Sequence, residues 1–433
     1  MDYPVDNVDD AYNACNPDQP LEGDDERYLD LTVVRNGEKI GFLTSRITKT
    51  PPGTFHKQLF TGHRGSGKST ELHQLQKQLR AKNYFVVFLD IEQTLDLGEI
   101  SYQDVLLSIA KSTLEALNEA NISIKAALLS DLEAWFEEKI ISKDYVKDVK
   151  ASAKVTNKAG IKIPFVTELM TSLVGEIRSG STYRTEIRQT LEKQLTVFIA
   201  KLNDLLLAAR LQLQREHFVD FVVIVDGLEK MHYRILDNKD SNHTDLFIRH
   251  AEQLKSPQAH IVYTVPIALI SDSPINNDVT DSIFLIPMVK YQEPEGKRQL
   301  IHLVAKRVRL ELFADMALLE RLIAISGGSV RDLLRLIRLA TETTESKIEA
   351  SDIDRAIRIL VKDFDRLIRE DDIPLLKAIA KDKRVIKDLE KRYERLLSLR
   401  LVNEYENGKT WADLHPVLRN IAWLQAKLEE PAP

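Results

Sequence analysis

The chain has 433 residues, enough for about two to four domains, and 43% of them are hydrophobic while 29% are charged. Its single cysteine, Cys15, excludes an intramolecular disulfide and fits a reducing compartment. The apolar runs at Phe221–Val225 and Ile261–Ile270 are too short to span a bilayer, and the first residues lack the pattern of a secretory signal. We therefore expect a cytoplasmic protein with no membrane contact.

The net charge of −6 is unevenly distributed along the chain. Residues 1–30 hold ten acidic residues and one arginine, so the rest of the chain carries a net charge of +3. A nearly neutral body neither requires nor forbids a nucleic-acid partner. The acidic composition and three prolines of residues 1–27 predict a flexible arm. The segment Tyr28–Val34, which follows it, has the composition of a strand.

From about residue 56, short apolar runs alternate with segments of helical spacing. The predicted strands are Gln58–Phe60, Tyr84–Asp90, Phe218–Asp226, His260–Thr264 and Ser282–Ile286. Helical spacing marks Glu71–Lys82, and a capping box at Ser101 and Asp104 begins a helix that continues to Leu117. This alternation predicts the α/β class, with a doubly wound parallel sheet.

Residues 121–215 lack a convincing buried strand and form a long insert between two predicted strands. Apolar residues at three- and four-residue steps predict one amphipathic helix from roughly Tyr183 to Gln214. This insert either packs on the sheet as core or meets a protein partner. We expect a core at residues 28–290 that includes the insert, a helical domain at 291–370 and a small separate domain at 371–428.

The segment from Gly62 to Ser69 matches the phosphate-binding loop pattern Gly-x-x-x-x-Gly-Lys-Ser/Thr in full. It follows an apolar run and precedes an amphipathic helix, which is the context that this loop requires. Glycines let the backbone N–H groups turn toward phosphate oxygens, and the helix end adds a positive dipole. Lys68 is expected on the β- and γ-phosphates and Ser69 on Mg²⁺. The expected nucleotide-binding residues are Gly62, His63, Arg64, Gly65, Ser66, Gly67, Lys68, Ser69 and Thr70.

Acidic residues follow a second buried run, Phe221–Val225. Asp226 is placed to hold the water shell of the magnesium ion, which makes Ser69 and Asp226 the expected metal residues. Glu229, three residues later, either orients the attacking water or is a solvated loop acid. The guanine-specific Asn-Lys-x-Asp motif fails at its last position at both Asn157 and Asn238, so adenine is favoured and the expected ligand is ATP with Mg²⁺.

Two further polar residues lie where a phosphate could be sensed. Thr264 ends the strand that begins at His260, and its alternative is an ordinary strand-end threonine. Arg331 lies in the first turn of a helix that follows the Ser326–Ser329 turn, and its alternative is a surface arginine. With Lys68, Asp226 and Glu229, these two complete the candidate catalytic set.

Together these motifs resemble an AAA+-type P-loop ATPase, within the branch of the replication-origin initiators and the STAND signalling ATPases. The resemblance covers roughly residues 28–425. It identifies Gly62–Ser69 as Walker A, Phe221–Asp226 as Walker B, Thr264 as the first sensor and Arg331 as the second. It also implies a helical lid at residues 291–370 and a winged helix at residues 371–428.

A hairpin pattern supports the winged helix. Leu401–Tyr405 and Thr410–Leu414 flank an Asn-Gly pair, which is typical of a tight turn between two strands. Helical spacing at Ile373–Ala380 and Val385–Leu397 precedes them. Lys381–Arg400 carries a net charge of +4, which is modest for a DNA reader.

Departures from the family pattern affect the expected mechanism. AAA+ rings place an arginine finger between the first sensor and the next strand, yet no arginine lies between Thr264 and Ile286, and Arg249 is the nearest upstream substitute. The Gly-x-Pro module of STAND proteins is replaced by Gly327-Gly328. Slow hydrolysis and a switch rather than a motor are therefore expected.

Three functions compete for the nucleotide site. The first is an ATP-controlled switch, in bacterial defence or signalling by analogy, that meets a protein partner through the insert or the winged helix. The second is a DNA-binding ATPase of the initiator or loader type. The third, a small-molecule kinase, is disfavoured by the long insert and the lid. A homo-oligomer is compatible with each of them.

Overall fold

The computed structural model describes residues 2–124, 126–139, 165–272, 283–386, 392–406 and 409–430. Its centre is a five-stranded, fully parallel sheet in the order β2-β3-β4-β1-β5. The strands are β1 Lys57–Gly62, β2 Phe85–Asp90, β3 Phe221–Asp226, β4 His260–Val265 and β5 Ile283–Ile286. The predicted doubly wound α/β fold is confirmed, and each predicted strand is present within about three residues of its expected bounds.

The sheet is buried on both faces, which explains the apolar composition of its strands. β3 is buried along its whole length. Its register pairs Asp226 with Asp90 on β2 and Val225 with Tyr263 on β4. On the far side, β1 pairs Phe60 with Thr264. The carboxyl ends of β1, β3 and β4 therefore meet at one edge, where ligands of such sheets bind.

Twenty α-helices are described in this part of the chain. They are α1 Val8–Ala14, α2 Thr32–Arg35, α3 Ile40–Thr48, α4 Lys68–Arg80, α5 Ile91–Thr94, α6 Tyr102–Glu119, α7 Ala126–Lys139, α8 Phe165–Ser179, α9 Thr182–Lys193, α10 Leu195–Arg215, α11 Asn242–Thr244, α12 Ala251–Lys255, α13 Ala268–Asp272, α14 Pro294–Ala305, α15 Met316–Ser326, α16 Val330–Thr341, α17 Ala350–Asp365, α18 Ile373–Asp382, α19 Arg392–Ser398 and α20 Ala422–Glu429. The predicted capping box at the start of α6 is present. Of the helix predicted at Val385–Leu397, residues 387–391 lie outside the described part of the chain.

The insert packs on the sheet through α6. Arg188 on α9 pairs with the buried Asp104 on α6 at 2.5 Å. The interpretation of the insert as core is confirmed for its described residues, because α8, α9 and α10 contribute buried side chains to the same hydrophobic core as β3. The predicted single helix is wrong in detail. It breaks at Gln194, where φ is −112° and ψ is 21°. Apolar spacing continues on both sides of this residue, so the sequence does not reveal the break.

The acidic N-terminal arm is ordered, which differs from the flexible arm predicted. Val8, Ala11 and Ala14 are buried on one face of α1 and pack with the helices α14 to α17. Arg338 on α16 lies over the Tyr12 ring at 4.1 Å. The acidic residues lie on the other face, so the composition of the segment concealed a short amphipathic helix.

The strand predicted at Tyr28–Val34 is also wrong. The structure has one helical turn, α2, and the residue before it, Leu31, is buried together with Val34 within it. Apolar runs this short do not separate a helix from a strand.

The C-terminal unit contains α18, α19, α20 and an antiparallel hairpin of β6 Val402–Glu406 and β7 Thr410–Leu414. The predicted hairpin is confirmed, although its turn residues 407 and 408 lie outside the described part. This unit shares one hydrophobic core with the lid helices α14 to α17 and with α1. In the described residues, no helix has the length and hydrophobicity needed to cross a bilayer.

Candidate nucleotide site

The phosphate-binding loop joins β1 to α4 and is held by close contacts to two other segments. A Cβ atom on Gly62 would lie 2.5 Å from the carbonyl oxygen of Ile286. A Cβ atom on Gly65, where φ is +93°, would lie 2.8 Å from both Ser329 Oγ and Arg331 Cβ. Glycine is therefore required at Gly65 by backbone geometry and by the approach of the lid.

Lys68 lies at the centre of this loop and is 4% exposed. Its ammonium group donates to the carbonyl oxygens of Gly62 at 3.0 Å and His63 at 3.1 Å. It also pairs with Glu229 at 3.2 Å, so the predicted Walker A lysine and the predicted water-orienting acid are in direct contact.

Asp226 and Glu229 form an acidic pair that lines the same cavity as the loop. Burial and the charge of Glu229 raise the pKa of Asp226 to about 6, against a lowering by a hydrogen bond from Ser69. Burial would also raise the pKa of Glu229, but Lys68 and a hydrogen bond from Thr264 outweigh it and leave this pKa below its usual value. Glu229 is therefore the stronger acid of the pair.

The acidic pair offers oxygen atoms of the kind that a magnesium ion binds. Among the described residues, Asp226 Oδ1 and Glu229 Oε2 are buried and have no hydrogen-bond partner. Carboxylate and hydroxyl oxygens suit Mg²⁺, and a buried carboxylate oxygen without a partner is costly. The Ser69 hydroxyl bonds to Asp226, so the two residues predicted from the sequence to hold the metal are in contact.

Thr264 lies at the end of β4, beside the turn that carries Glu229. Its hydroxyl accepts the N–H of Leu228 at 3.1 Å and lies 3.2 Å from the carbonyl oxygen of Val225. It is fully buried. This geometry makes Thr264 a positioning residue for the Glu229 turn, while its predicted contact with a phosphate stays a prediction.

A cavity of about 620 Å³ lies along the loop and is also lined by residues of the lid and of the N-terminal arm. Arg331 lines this cavity, and its backbone N–H donates to the Gly65 carbonyl at 3.2 Å. The Arg331 guanidinium pairs with Asp18 of the arm. Leu21 donates its N–H to the Thr70 hydroxyl at 3.2 Å. The arm therefore forms a wall of the nucleotide site, which composition alone did not indicate.

The C-terminal unit reaches the loop directly through His63. The backbone N–H of Glu404 on β6 donates to His63 Nε2 at 2.7 Å. Burial, with Lys68 and other nearby cations, lowers the pKa of His63 to about 3, so the ring is neutral and accepts this bond. Next to it, the Tyr405 hydroxyl donates to the Gly327 carbonyl at 2.8 Å.

A second bridge joins the lid to the C-terminal unit. Asp332, next to Arg331 on α16, accepts two hydrogen bonds from Arg400 at 2.6 and 2.8 Å. His415 Nε2 lies 3.5 Å from the same carboxylate. Burial would raise the pKa of Asp332, but Arg400 and His415 hold it far below its usual range.

Arg35 is a residue that the sequence did not single out. It is 4% exposed and donates to the Ser66 carbonyl at 2.5 Å. It also pairs with Glu71 on α4 at 3.5 Å, and Tyr28 donates to the same carboxylate at 3.2 Å. Burial lowers the pKa of Arg35, since the Glu71 charge only partly compensates. An arginine in a short apolar run was the only available signal.

The structure brings most of the predicted residues together. Those that line the cavity are Arg64, Gly65, Gly67, Lys68, Ser69, Thr70, Asp226, Glu229 and Arg331. The predicted residues that do not line it are Gly62, His63, Ser66 and Thr264. The side chains of His63 and Ser66 are buried, and Ser66 Oγ has no partner among the described residues. Arg249 is not part of the site. It pairs with Asp240 and lines neither this cavity nor the neighbouring one.

No protein-family model matches the sequence, and no curated protein matches it. The chain is similar to the Aeropyrum pernix ORC1 protein in complex with DNA, at 11% identity and a TM-score of 0.44, over 96% of this chain and 95% of that one. It is also similar to the Walker-type ATPase of Pyrococcus abyssi, at 14% identity and a TM-score of 0.41, over 94% of this chain and 100% of that one. For Cdc6p from Pyrobaculum aerophilum, the identity is 10% and the TM-score 0.41, over 96% and 97%.

With TM-scores of 0.41 to 0.44 the likeness to these proteins is distant, and the resemblance to the initiator branch of AAA+ ATPases rests on the motifs of this sequence. Their names include no signalling ATPase, and the predicted likeness to the STAND branch has no support. At such low identity the likeness extends no further than fold. The function is therefore argued from the residues of this chain.

Proposed function

We propose that this protein is a magnesium-dependent ATPase that acts as a nucleotide-controlled switch. The observation that carries the proposal is that the phosphate-binding loop contacts the lid and the C-terminal unit directly. Arg331 of the lid bonds to Gly65, and Glu404 of the hairpin bonds to His63. A change in the loop when a triphosphate binds would therefore act on both units.

The side chains of the site suit binding followed by slow hydrolysis. Lys68 supplies a cation for the β- and γ-phosphates, and Ser69 and Asp226 supply oxygens for Mg²⁺, which neutralises developing charge. Glu229 is ionised and is held by Thr264 in position to orient a water molecule. Besides Lys68, the lysines and arginines that line the described part of this cavity are Arg64, Lys230, Arg307 and Arg331.

Nucleotide binding is tested with Lys68→Ala and a fluorescent ATP analogue. The variant should lose affinity at least about 100-fold, since it loses a charge-assisted contact to two phosphates. Lys82→Ala is the matched control, because Lys82 is exposed just beyond the other end of α4. Tight binding by Lys68→Ala would refute the nucleotide assignment.

The switch is tested by hydrogen exchange of β6 and β7 with an ATP analogue, with ADP and without nucleotide. We expect the protection of Val402–Glu406 to depend on the nucleotide. His63→Ala should retain nucleotide binding and lose this dependence. Equal exchange in all three conditions would refute the switch, while binding data would still decide the nucleotide assignment.

A DNA-binding ATPase of the initiator type is the second candidate, because the C-terminal hairpin follows two helices and residues 381–400 carry a net charge of +4. Ion pairs within the chain reduce the positive charge that this segment offers to DNA. Lys383, Arg395 and Arg400 bond to Asp413, Asp372 and Asp332 within the chain. Fluorescence anisotropy with duplex DNA over a salt series decides the question. Absence of binding at low salt, with and without ATP, would exclude this function.

A further inference from the structure

A second cavity, of about 660 Å³, lies beside the nucleotide cavity. It is formed by the segments that follow β3 and β4 and by residues of the lid and the C-terminal unit. Arg64, Glu229 and Lys230 line both cavities, so the second one adjoins the phosphate end of the first. Its volume is close to the 620 Å³ of the nucleotide cavity, which suits one small molecule rather than a macromolecule.

The lining of the second cavity is strongly basic. Its charged residues are Arg64, Lys230, Arg234, Arg366, Arg369, Arg395 and Glu229. Glu92 neutralises Lys230 at 2.7 Å, and Asp372 neutralises Arg395 at 2.7 Å. In the described part of the chain, Arg234, Arg366 and Arg369 have no acidic partner. Arginines without partners that line one concave surface favour an anion, above all a phosphate that accepts two parallel hydrogen bonds.

The remaining lining indicates that the ligand has an organic part. Apolar wall residues include Met231, Tyr233, Ile267 and Leu367. His243 also lines the cavity, is 1% exposed, and has a ring nitrogen, Nδ1, with no hydrogen-bond partner among the described residues. Burial lowers the pKa of His243 to about 4, so the ring is neutral and offers an acceptor. Inorganic phosphate would leave the apolar walls and the neutral acceptor without a contact, so this lining fits a ligand with an organic part.

We propose that this cavity binds a second ligand, a phosphorylated organic molecule of about nucleotide size, separate from the nucleotide at the phosphate-binding loop. Arg234, Arg366 and Arg369 hold its phosphates, and the apolar wall holds its organic part. Because Arg64, Glu229 and Lys230 border both cavities, this ligand acts on the end of the site where a phosphate would be cleaved. The inference goes beyond the proposed switch, since it names a second input to the same site.

The test is calorimetry on the full chain with two probes, a 5′-phosphorylated thymidine dinucleotide and inorganic tripolyphosphate, with and without saturating ADP and Mg²⁺. The dinucleotide should bind in both conditions and more tightly than tripolyphosphate. The double variant Arg234→Glu/Arg366→Glu should weaken it at least about ten-fold, as expected for lost contacts to a charged group. ADP affinity should stay unchanged, because neither arginine lines the nucleotide cavity.

A control with the same change of charge is Arg215→Glu/Arg358→Glu, in which both arginines are exposed and line neither cavity. It should bind the dinucleotide like the wild type. The proposal is overturned if the dinucleotide does not bind at millimolar concentration, or binds no better than tripolyphosphate. It is also overturned if the two double variants behave alike. A protein that fails to bind ADP but passes this test would refute the proposed ATPase and leave the second site standing.

Discussion

Replacing Asp332 tests the bridge between the lid and the C-terminal unit. The Asp332 side chain is 1% exposed, and that of its partner Arg400 is 18% exposed. Asp332→Ala removes both short hydrogen bonds and leaves the guanidinium without its charge partner. Breaking a buried pair costs about 3–5 kcal/mol. Because Arg400 has partial access to water, we expect the free energy of unfolding to fall by about 3 kcal/mol.

Urea denaturation measures this loss, and the unfolding is monitored with probes placed in the C-terminal unit. Local probes are used because a chain of this size need not unfold in one step. The matched control is Asp363→Ala. Asp363 pairs with Arg335 on neighbouring lid helices, but the two side chains are 40% and 32% exposed. An exposed pair contributes about 0–1 kcal/mol. If the free energy of unfolding falls equally in the two variants, burial is not the reason that the Asp332 bridge stabilises the fold.

The same bridge predicts a dependence on pH. Since the folded state holds the pKa of Asp332 far below its usual range, the unfolded state binds more protons once the pH falls toward the ordinary value of about 3.9. The stabilisation is full above that value and is lost as the pH falls toward the folded pKa. The Asp332 contribution to the stability difference between wild type and Asp332→Ala should therefore shrink below about pH 4. A difference that grows as the pH falls below 4 would contradict this assignment.

Three further variants test contacts of the loop. Gly65→Ala should abolish binding of the ATP analogue through the clash with Arg331, whereas Gly53→Ala, at a similar positive φ but with nothing within 4 Å, should bind normally. Asp18→Asn should raise analogue affinity by a factor of up to about five, because the exposed pair with Arg331 that competes with the ligand is worth about 1 kcal/mol or less. Unchanged affinity would show that the arm takes no part in nucleotide binding. Thr264→Val should slow ATP hydrolysis at least about ten-fold while analogue affinity stays within a factor of two, since a buried N–H loses its acceptor; an unchanged rate would end its positioning role.

The sequence predicted the parts of the molecule that follow one periodicity over several residues. The five strands are buried on both faces and read as continuous apolar runs, and the Asn-Gly pair marked the hairpin. Gly62–Ser69 was recognisable because its chemistry depends on glycines at fixed spacing. Asp226 and Glu229 followed from their place after a buried strand. Local rules fix these features, so they needed no knowledge of distant contacts.

Long-range contacts decided what the sequence did not show. Asp18 meets Arg331 across 313 residues, and Glu404 meets His63 across 341 residues. No sequence pattern indicates either pair. Glu404 takes part through its backbone N–H, and Asp18 is one of many acidic residues in the arm. Charge dominates the composition of the arm and predicts flexibility, although three small apolar residues of α1 pack on the lid together with other residues of the arm.

The contacts of the loop differ in how a triphosphate would affect them. Lys68 pairs with Glu229 and Arg331 pairs with Asp18, and these cations are the groups that a phosphate would bind, so both pairs would compete with the ligand. The bond between His63 and Glu404 involves no group that a phosphate needs.

A ligand shifts an equilibrium only by its difference in affinity for the two states. If Lys68 and Arg331 leave these carboxylates for phosphates while the loop keeps its conformation, the hairpin is unaffected. The hairpin responds only if release of Glu229 by Lys68 moves the His63 carbonyl that Lys68 also holds. That shared ammonium group is therefore the physical link on which the proposed switch depends.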